Sequence, residues 1–135
     1  MSRKSIELNF VWQGEQATNF PKESGVYCVY RTTLNPKKKS DLKELIYIGE
    51  SENIYERISD HNKLSNWKNC LSHDEVLGYS YSTIKAVDRK RAEAALIYEH
   101  QPRCNIQDAV EFHFPETTIT LNGVTAHLTT PFTIK

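Results

Sequence analysis

Apolar residues in this chain fall in short runs broken by polar stretches, strand-like in several places and helically spaced in two. Residues 5–12, SIELNFVW, have strand-like content, and the segment to Ser24, with Gly14, Asn19 and Pro21, reads as a loop. GVYCVYRT, 25–32, reads as a strand in which Gly25, Tyr27 and Val29 face one way and Val26, Cys28 and Tyr30 the other. LNPKKKSDLKE, 34–44, has no apolar period and predicts an exposed loop. LIYIG, 45–49, is a second strand, placed to pair with the first as an antiparallel hairpin across that long loop.

The spacing then becomes helical. Asn53 is placed to cap a helix over about 54–64, with Ile54, Tyr55, Ile58 and Leu64 on one face and Glu52, Glu56, Ser59, Asp60 and Lys63 on or near the other. Arg57 and His61, one turn apart, fall within the apolar arc and should point at the protein body or a cleft. A loop or short helix over 65–75 leads to a third strand, VLGYSYSTI, 76–84. Asp88 is the expected cap of a helix to about residue 100, which Pro102 stops. On its wheel Glu93 lies between Leu96 and Ile97, and a carboxylate inside an apolar stripe is costly unless paired or metal-bound. The tail, TTITLNGVTAHL, carries Asn122-Gly123 between alternating segments, a hairpin signal.

Composition narrows the class. At 135 residues, 25% charged and 39% apolar, the chain fits one folded domain over 1–135 and is too hydrophobic to be disordered. Seventeen basic residues balance seventeen acidic ones, so any nucleic-acid contact must come from local patches. The candidates are Lys37, Lys38 and Lys39 in the polar loop and Arg89, Lys90 and Arg91 on the long helix. Cys28, Cys70 and Cys104 are odd in number and lack CxxC spacing, which suits reduced thiols in the cytoplasm. The opening MSRKSIELNF lacks the apolar run of a signal peptide, and no stretch has the length of a bilayer span, so a cytoplasmic protein without a membrane partner is expected.

The polar residues left over form a set: Tyr27 and Tyr47 on two strands, Arg57 and His61 after the second, Glu93 on the long helix and Asn105 just beyond it. Phosphodiester hydrolysis needs a water deprotonated, an anionic transition state stabilised and a leaving oxygen neutralised, and these residue types suit those tasks. Each alone has a plainer reading: tyrosines filling a sheet face, a solvated Arg57 and His61, a Glu93–Arg89 ion pair, Asn105 in a turn. Their joint order and spacing favour the site. His100 and Cys104 have a metal-like spacing without a second pair, so packing is expected of both, as it is of Trp12 and Trp67, the alternative for the tryptophans being base stacking.

GVY, YIG, Arg57, His61, Glu93 and Asn105, taken in order, resemble the GIY-YIG nuclease superfamily over residues 25–105. The resemblance implies an α/β (α+β) fold with a small antiparallel three-stranded sheet flanked by helices, to which residues 106–135 add a C-terminal β extension with a hairpin. It implies hydrolytic cutting of DNA with one divalent ion, Mg2+ or Mn2+. Tyr27 would be the leading general base with Tyr47 beside it, His61 would help move the proton, Arg57 would hold the scissile phosphate, Glu93 would ligate the metal, and Asn105 would position the site. Two features depart from the pattern: Glu50 stands where relatives often carry lysine, and the lysine-bearing insert is long. The rival reading is a nucleic-acid binding or docking module with the same fold and no turnover. A third is a structural protein that binds no nucleic acid.

Overall fold

The computed structural model describes residues 2–14, 19–34, 36–108 and 111–135; the side chains of Lys39 and of residues 106–108 lie outside that description. Six strands, β1 (Lys4–Gly14), β2 (Gly25–Thr33), β3 (Leu42–Ser51), β4 (Glu75–Thr83), β5 (Thr117–Gly123) and β6 (Phe132–Ile134), form one sheet in the order β3-β2-β4-β1-β5-β6. The helices are α1 (Ile54–Ser59), α2 (Leu64–Lys68) and α3 (Ala86–His100), with 3-10 turns at Lys39–Asp41 and Arg103–Asp108. Among the described residues no helix is long and apolar enough to cross a membrane.

The expected three-stranded sheet is therefore only part of the observed one. β2 pairs antiparallel with β3 and β4, while β1 joins β4 antiparallel and takes β5 in parallel on its other side. The reason is burial. Ile6, Leu8 and Phe10 alternate inward along β1, and Ile119 and Leu121 do so along β5. Each such side chain gains roughly 2 kcal/mol by leaving water, which a free-standing terminal strand forgoes. β5 and β6 of the C-terminal segment are thus strands of the same sheet.

The Asn122-Gly123 signal does not produce a two-residue hairpin. Gly123 ends β5 at φ +79°, where a Cβ would lie 2.1 Å from the Phe10 carbonyl oxygen. Val124 donates to that same carbonyl at 2.9 Å, so the chain leaves the sheet there and returns later as β6, antiparallel to β5. The polar insert is also shorter as a loop than expected, because β3 already begins at Leu42.

Apolar side chains cover both faces of the sheet. α3 packs on β2, β3, β5 and β6, its Ala92, Ala95, Leu96 and Ile97 sharing one buried cluster with Val26, Cys28 and Tyr30 of β2 and with apolar residues of β1. On the other face Ile54 and Ile58 of α1 and Trp67 of α2 pack with Tyr27, Val29, Ile46, Tyr47 and Tyr79. This division matches the period-two reading of residues 25–30. Asn53 caps α1 as expected, its side chain accepting from the Glu56 amide at 3.1 Å. Asp88 does not cap α3: Lys85 holds that position, and Asp88 sits in the first turn, where a carboxylate complements the helix dipole and meets Lys4.

Candidate active site

The two glycines of the motif make room for what crosses them. Tyr27 of β2 stands opposite Gly49 of β3, and a Cβ on Gly49 would lie 2.4 Å from the phenol oxygen. A Cβ on Gly25 would lie 2.3 Å from Ile54 Cδ1 and 2.6 Å from the Ser82 carbonyl oxygen. Gly49 therefore lets the Tyr27 ring lie across β3, and Gly25 lets Ile54 of α1 dock against β2. The pairing shifts from Val29↔Tyr47 to Tyr30↔Leu45, leaving Ile46 as an extra residue. That bulge lies beyond Tyr47, so Tyr47 keeps to the Tyr27 side, with ring centroids 6.2 Å apart.

His61 does not ride on the helix predicted for it. α1 stops at Ser59, Asp60 departs from helical geometry, and α2 begins at Leu64, leaving His61 between them. There its Nδ1 accepts from the Lys63 backbone N–H at 3.0 Å, while its Nε2 meets Tyr27 Oη at 2.8 Å. Burial, then the charges of Arg57 and Lys63, pull its pKa down to about 4, so the ring is neutral at pH 7. With Nδ1 acting as acceptor, the hydrogen-bond network assigns the one ring proton to Nε2, which donates to Tyr27. His61 in this state is a donor to the phenol oxygen and has no lone pair left to take its proton.

Tyr27 is fully buried, and its pKa is driven far above the ordinary phenol value. Burial is the largest cause, followed by the neighbouring Tyr47; the charge of Arg57 opposes the rise, and that of Glu93 adds to it. Arg57 and Glu93 thus act on one oxygen from opposite signs. Arg57 is half-buried and also reaches Asn62 Oδ1 at 3.3 Å. Glu93 is half-buried on α3.

Asn105 is fully buried and acts as a neighbour for the edge strand. Its Oδ1 accepts from the Ile48 N–H at 2.8 Å and its Nδ2 donates to the Ile48 carbonyl at 2.9 Å. This fixes the peptide between Tyr47 and Gly49 and satisfies two backbone groups that an edge leaves open.

Glu50, the departure noted in the sequence, is held by Arg89: Nε donates to Oε1 at 2.6 Å, and Arg89 Nη1 reaches Ser24 Oγ at 3.0 Å. The carboxylate is thereby neutralised, and Arg89 is engaged within the fold. Arg91 is buried, donating to Thr117 Oγ1 at 2.7 Å and to the carbonyls of Ser2 and Glu116 at 3.0 Å, so it is engaged in closing the sheet. Lys37, Lys38 and Lys90 are exposed, the first two on a loop whose amides donate to the Asp41 carboxylate at 2.9 and 3.2 Å. The side chain of Lys39 lies outside the described residues.

Two contributors were not evident from the sequence. Trp67, expected simply to pack, lies with its ring centroid 4.2 Å from that of His61 and 5.1 Å from that of Tyr47, walling both. Lys63, expected on an outer helix face, holds Nζ 5.4 Å from the Tyr47 ring centroid because the helix has already ended. His100 is occupied structurally, with Nδ1 on the Leu96 carbonyl at 2.8 Å and Nε2 on the Thr129 N–H at 2.8 Å, which leaves no nitrogen for zinc.

The donor set suits a hard ion. Glu93 is a carboxylate whose charge acts on Tyr27, and among the described residues no cluster of three His, Cys, Asp or Glu side chains is placed to hold a metal. One carboxylate, with water and phosphate oxygens completing the shell, is a usual Mg2+ arrangement.

No curated protein and no solved structure matches the chain. A family comparison matches residues 24–105 to the GIY-YIG catalytic domain, a span that holds both glycine–tyrosine strands, the Arg57–His61 segment, Glu93 and Asn105. That span is more than half of the chain, and the protein belongs to the GIY-YIG family.

Proposed function

We propose that the protein is a divalent-metal-dependent endonuclease that hydrolyses phosphodiester bonds in DNA. Membership of the family suggests nuclease activity in general. The observation that carries the finer reading is the Tyr27 oxygen, which receives a hydrogen bond from His61 at 2.8 Å while Arg57 and Glu93 act on it from opposite signs.

Tyr27, as the phenolate formed by prior release of its own proton to solvent, takes a proton from the attacking water, and Tyr47 supports it from the same sheet face. An ordinary phenol is only ~0.1% ionised at pH 7, a penalty of about 4 kcal/mol, and burial enlarges it here. His61 stabilises the phenolate by donating to it, and Arg57 favours it by charge while holding the scissile phosphate. Glu93 is the residue that would hold Mg2+ or Mn2+, and the ion supplies positive charge that offsets both the carboxylate's effect on Tyr27 and the charge developing on the phosphate. Asn105 positions β3. Lys37, Lys38 and Lys90 are the exposed cations left to track the DNA backbone.

The complete burial of Tyr27 in the free protein, with a net charge of zero, favours a second reading, a nucleic-acid binding module without turnover. Supercoiled plasmid together with branched and flap duplexes, incubated with Mg2+, Mn2+ or chelator, separates the two. Metal-dependent cutting that Glu93→Ala lowers by at least ~10³-fold supports the enzyme. Salt-sensitive retardation of DNA with no cutting, in folded protein, supports the module.

A further inference from the structure

Cys70 and Cys104 are far apart in sequence, yet their sulfurs lie 3.5 Å from each other. Cys70 closes α2, its amide bonded to the Trp67 carbonyl at 3.0 Å, and Cys104 immediately precedes Asn105. Both are half-buried at the edge of the apolar cluster that holds Tyr27, Tyr47 and Trp67, so a small oxidant can reach them. Cys28 is fully buried in the other cluster, on the opposite face of the sheet.

We propose that Cys70 and Cys104 form a reversible disulfide that acts as a redox switch on the candidate active site. The bond joins the two supports of that site: α2, whose Trp67 ring walls His61, and the turn whose Asn105 clamps Ile48. Closing a thiol contact of 3.5 Å to a bond of about 2 Å draws these supports together. A displacement of about 1 Å at such supports is enough to cost a reaction of this kind roughly 100-fold. Disulfides in reducing compartments are chiefly of this transient, regulatory sort.

The oxidant is a small-molecule disulfide such as oxidised glutathione. One protein thiol, as thiolate, attacks a glutathione sulfur, breaking its S–S bond and releasing one glutathione thiol that takes up the proton. The second protein thiolate attacks the protein-bound sulfur of the mixed disulfide and releases the second glutathione thiol. The two cysteines are oxidised by two electrons, and one glutathione disulfide is reduced to two thiols.

The test uses the full chain, folded, with oxidised glutathione, read by intact mass and peptide mapping and in parallel by plasmid cutting. The expected result is loss of the mass of two hydrogens, a bond mapped between Cys70 and Cys104, Cys28 left as a thiol, and cutting slowed at least ~10-fold and restored by dithiothreitol. Cys70→Ser and Cys104→Ser should each cut at the reduced rate whatever the oxidant. Free thiols or persistent glutathione adducts at both positions overturn the bond, and a mapped bond with unchanged cutting overturns the switch. The effect on cutting rests on the nuclease reading; if neither redox form cuts while the bond is mapped, that reading fails and the disulfide stands.

Discussion

Strand β2 places two tyrosines in the protein interior, Tyr27 on one face of the sheet and Tyr30 on the other, and both are completely buried with pKa values raised mainly by that burial. They differ in what the oxygen does. Tyr30 donates its proton to the Ala126 carbonyl at 2.8 Å, a bond that ties the C-terminal segment to the sheet. Tyr27 receives a bond from His61 at 2.8 Å, with Arg57 and Glu93 acting on it. A carbonyl partner locks the phenol as a neutral donor, whereas a donor partner and a nearby cation favour the phenolate. Burial alone does not distinguish the two tyrosines; the polarity of the bonded partner does.

The sharpest break in this comparison is to remove the Tyr27 hydroxyl. Tyr27→Phe keeps the ring over Gly49 and should abolish cutting, at least ~10³-fold down, with the fold unchanged by circular dichroism. Near-normal turnover would exclude Tyr27 from the mechanism and make Tyr47 the base to test.

Gly49→Ala tests the same side of the comparison without touching a polar atom. Its Cβ would lie 2.4 Å from the Tyr27 oxygen, and the buried ring must shift to relieve the contact, disturbing its 2.8 Å bond with His61. Cutting should fall about 100-fold, with a stability loss of about 1–3 kcal/mol from overpacking. A variant that cuts normally and melts at the parental temperature would show that the crossing of Tyr27 over Gly49 has no role in holding the phenol.

The part of this arrangement legible in the sequence is the part set by local spacing. Alternation along 25–30 separates Tyr27 from Tyr30, the Asn53 cap starts α1, and Pro102 follows the end of α3. The misreadings share a different cause. The parallel pairing of β1 with β5 joins residues more than a hundred positions apart and leaves no local trace. Asn122-Gly123 carries a turn signal, but the Phe10 carbonyl lies where a glycine is required for another reason. His61 fits a helical wheel, yet its ring accepts the Lys63 amide and the helix ends before it. The pairing of Glu50 with Arg89 likewise depends on β3 and α3 being adjacent.

Smaller in effect is the pH dependence of stability that His61 imposes. Its pKa of about 4 in the fold lies below the ordinary value near 6.5 that it takes when unfolded. Its contribution is therefore full above about pH 6.5 and lost as pH falls toward about 4, at most about 3 kcal/mol in all. His100 is shifted in the same direction by burial and adds a change of the same sign. Urea midpoints between pH 7.5 and 4.5 should fall for the parent and fall less for His61→Gln. Equal slopes would mean that His61 is not held neutral in the fold.

The smallest effect on activity belongs to the other tyrosine. Tyr30→Phe removes one hydroxyl from the same strand at the same burial, but that hydroxyl donates to the Ala126 carbonyl. The acceptor is left buried, so stability should fall by about 1–3 kcal/mol while cutting stays within about twofold of the parent below the melting transition. If Tyr30→Phe lost cutting as is expected of Tyr27→Phe, the two faces would be coupled, and partner polarity would no longer separate the two tyrosines. If it cost neither stability nor activity, the bond to Ala126 would not be what holds the 124–131 segment against the sheet.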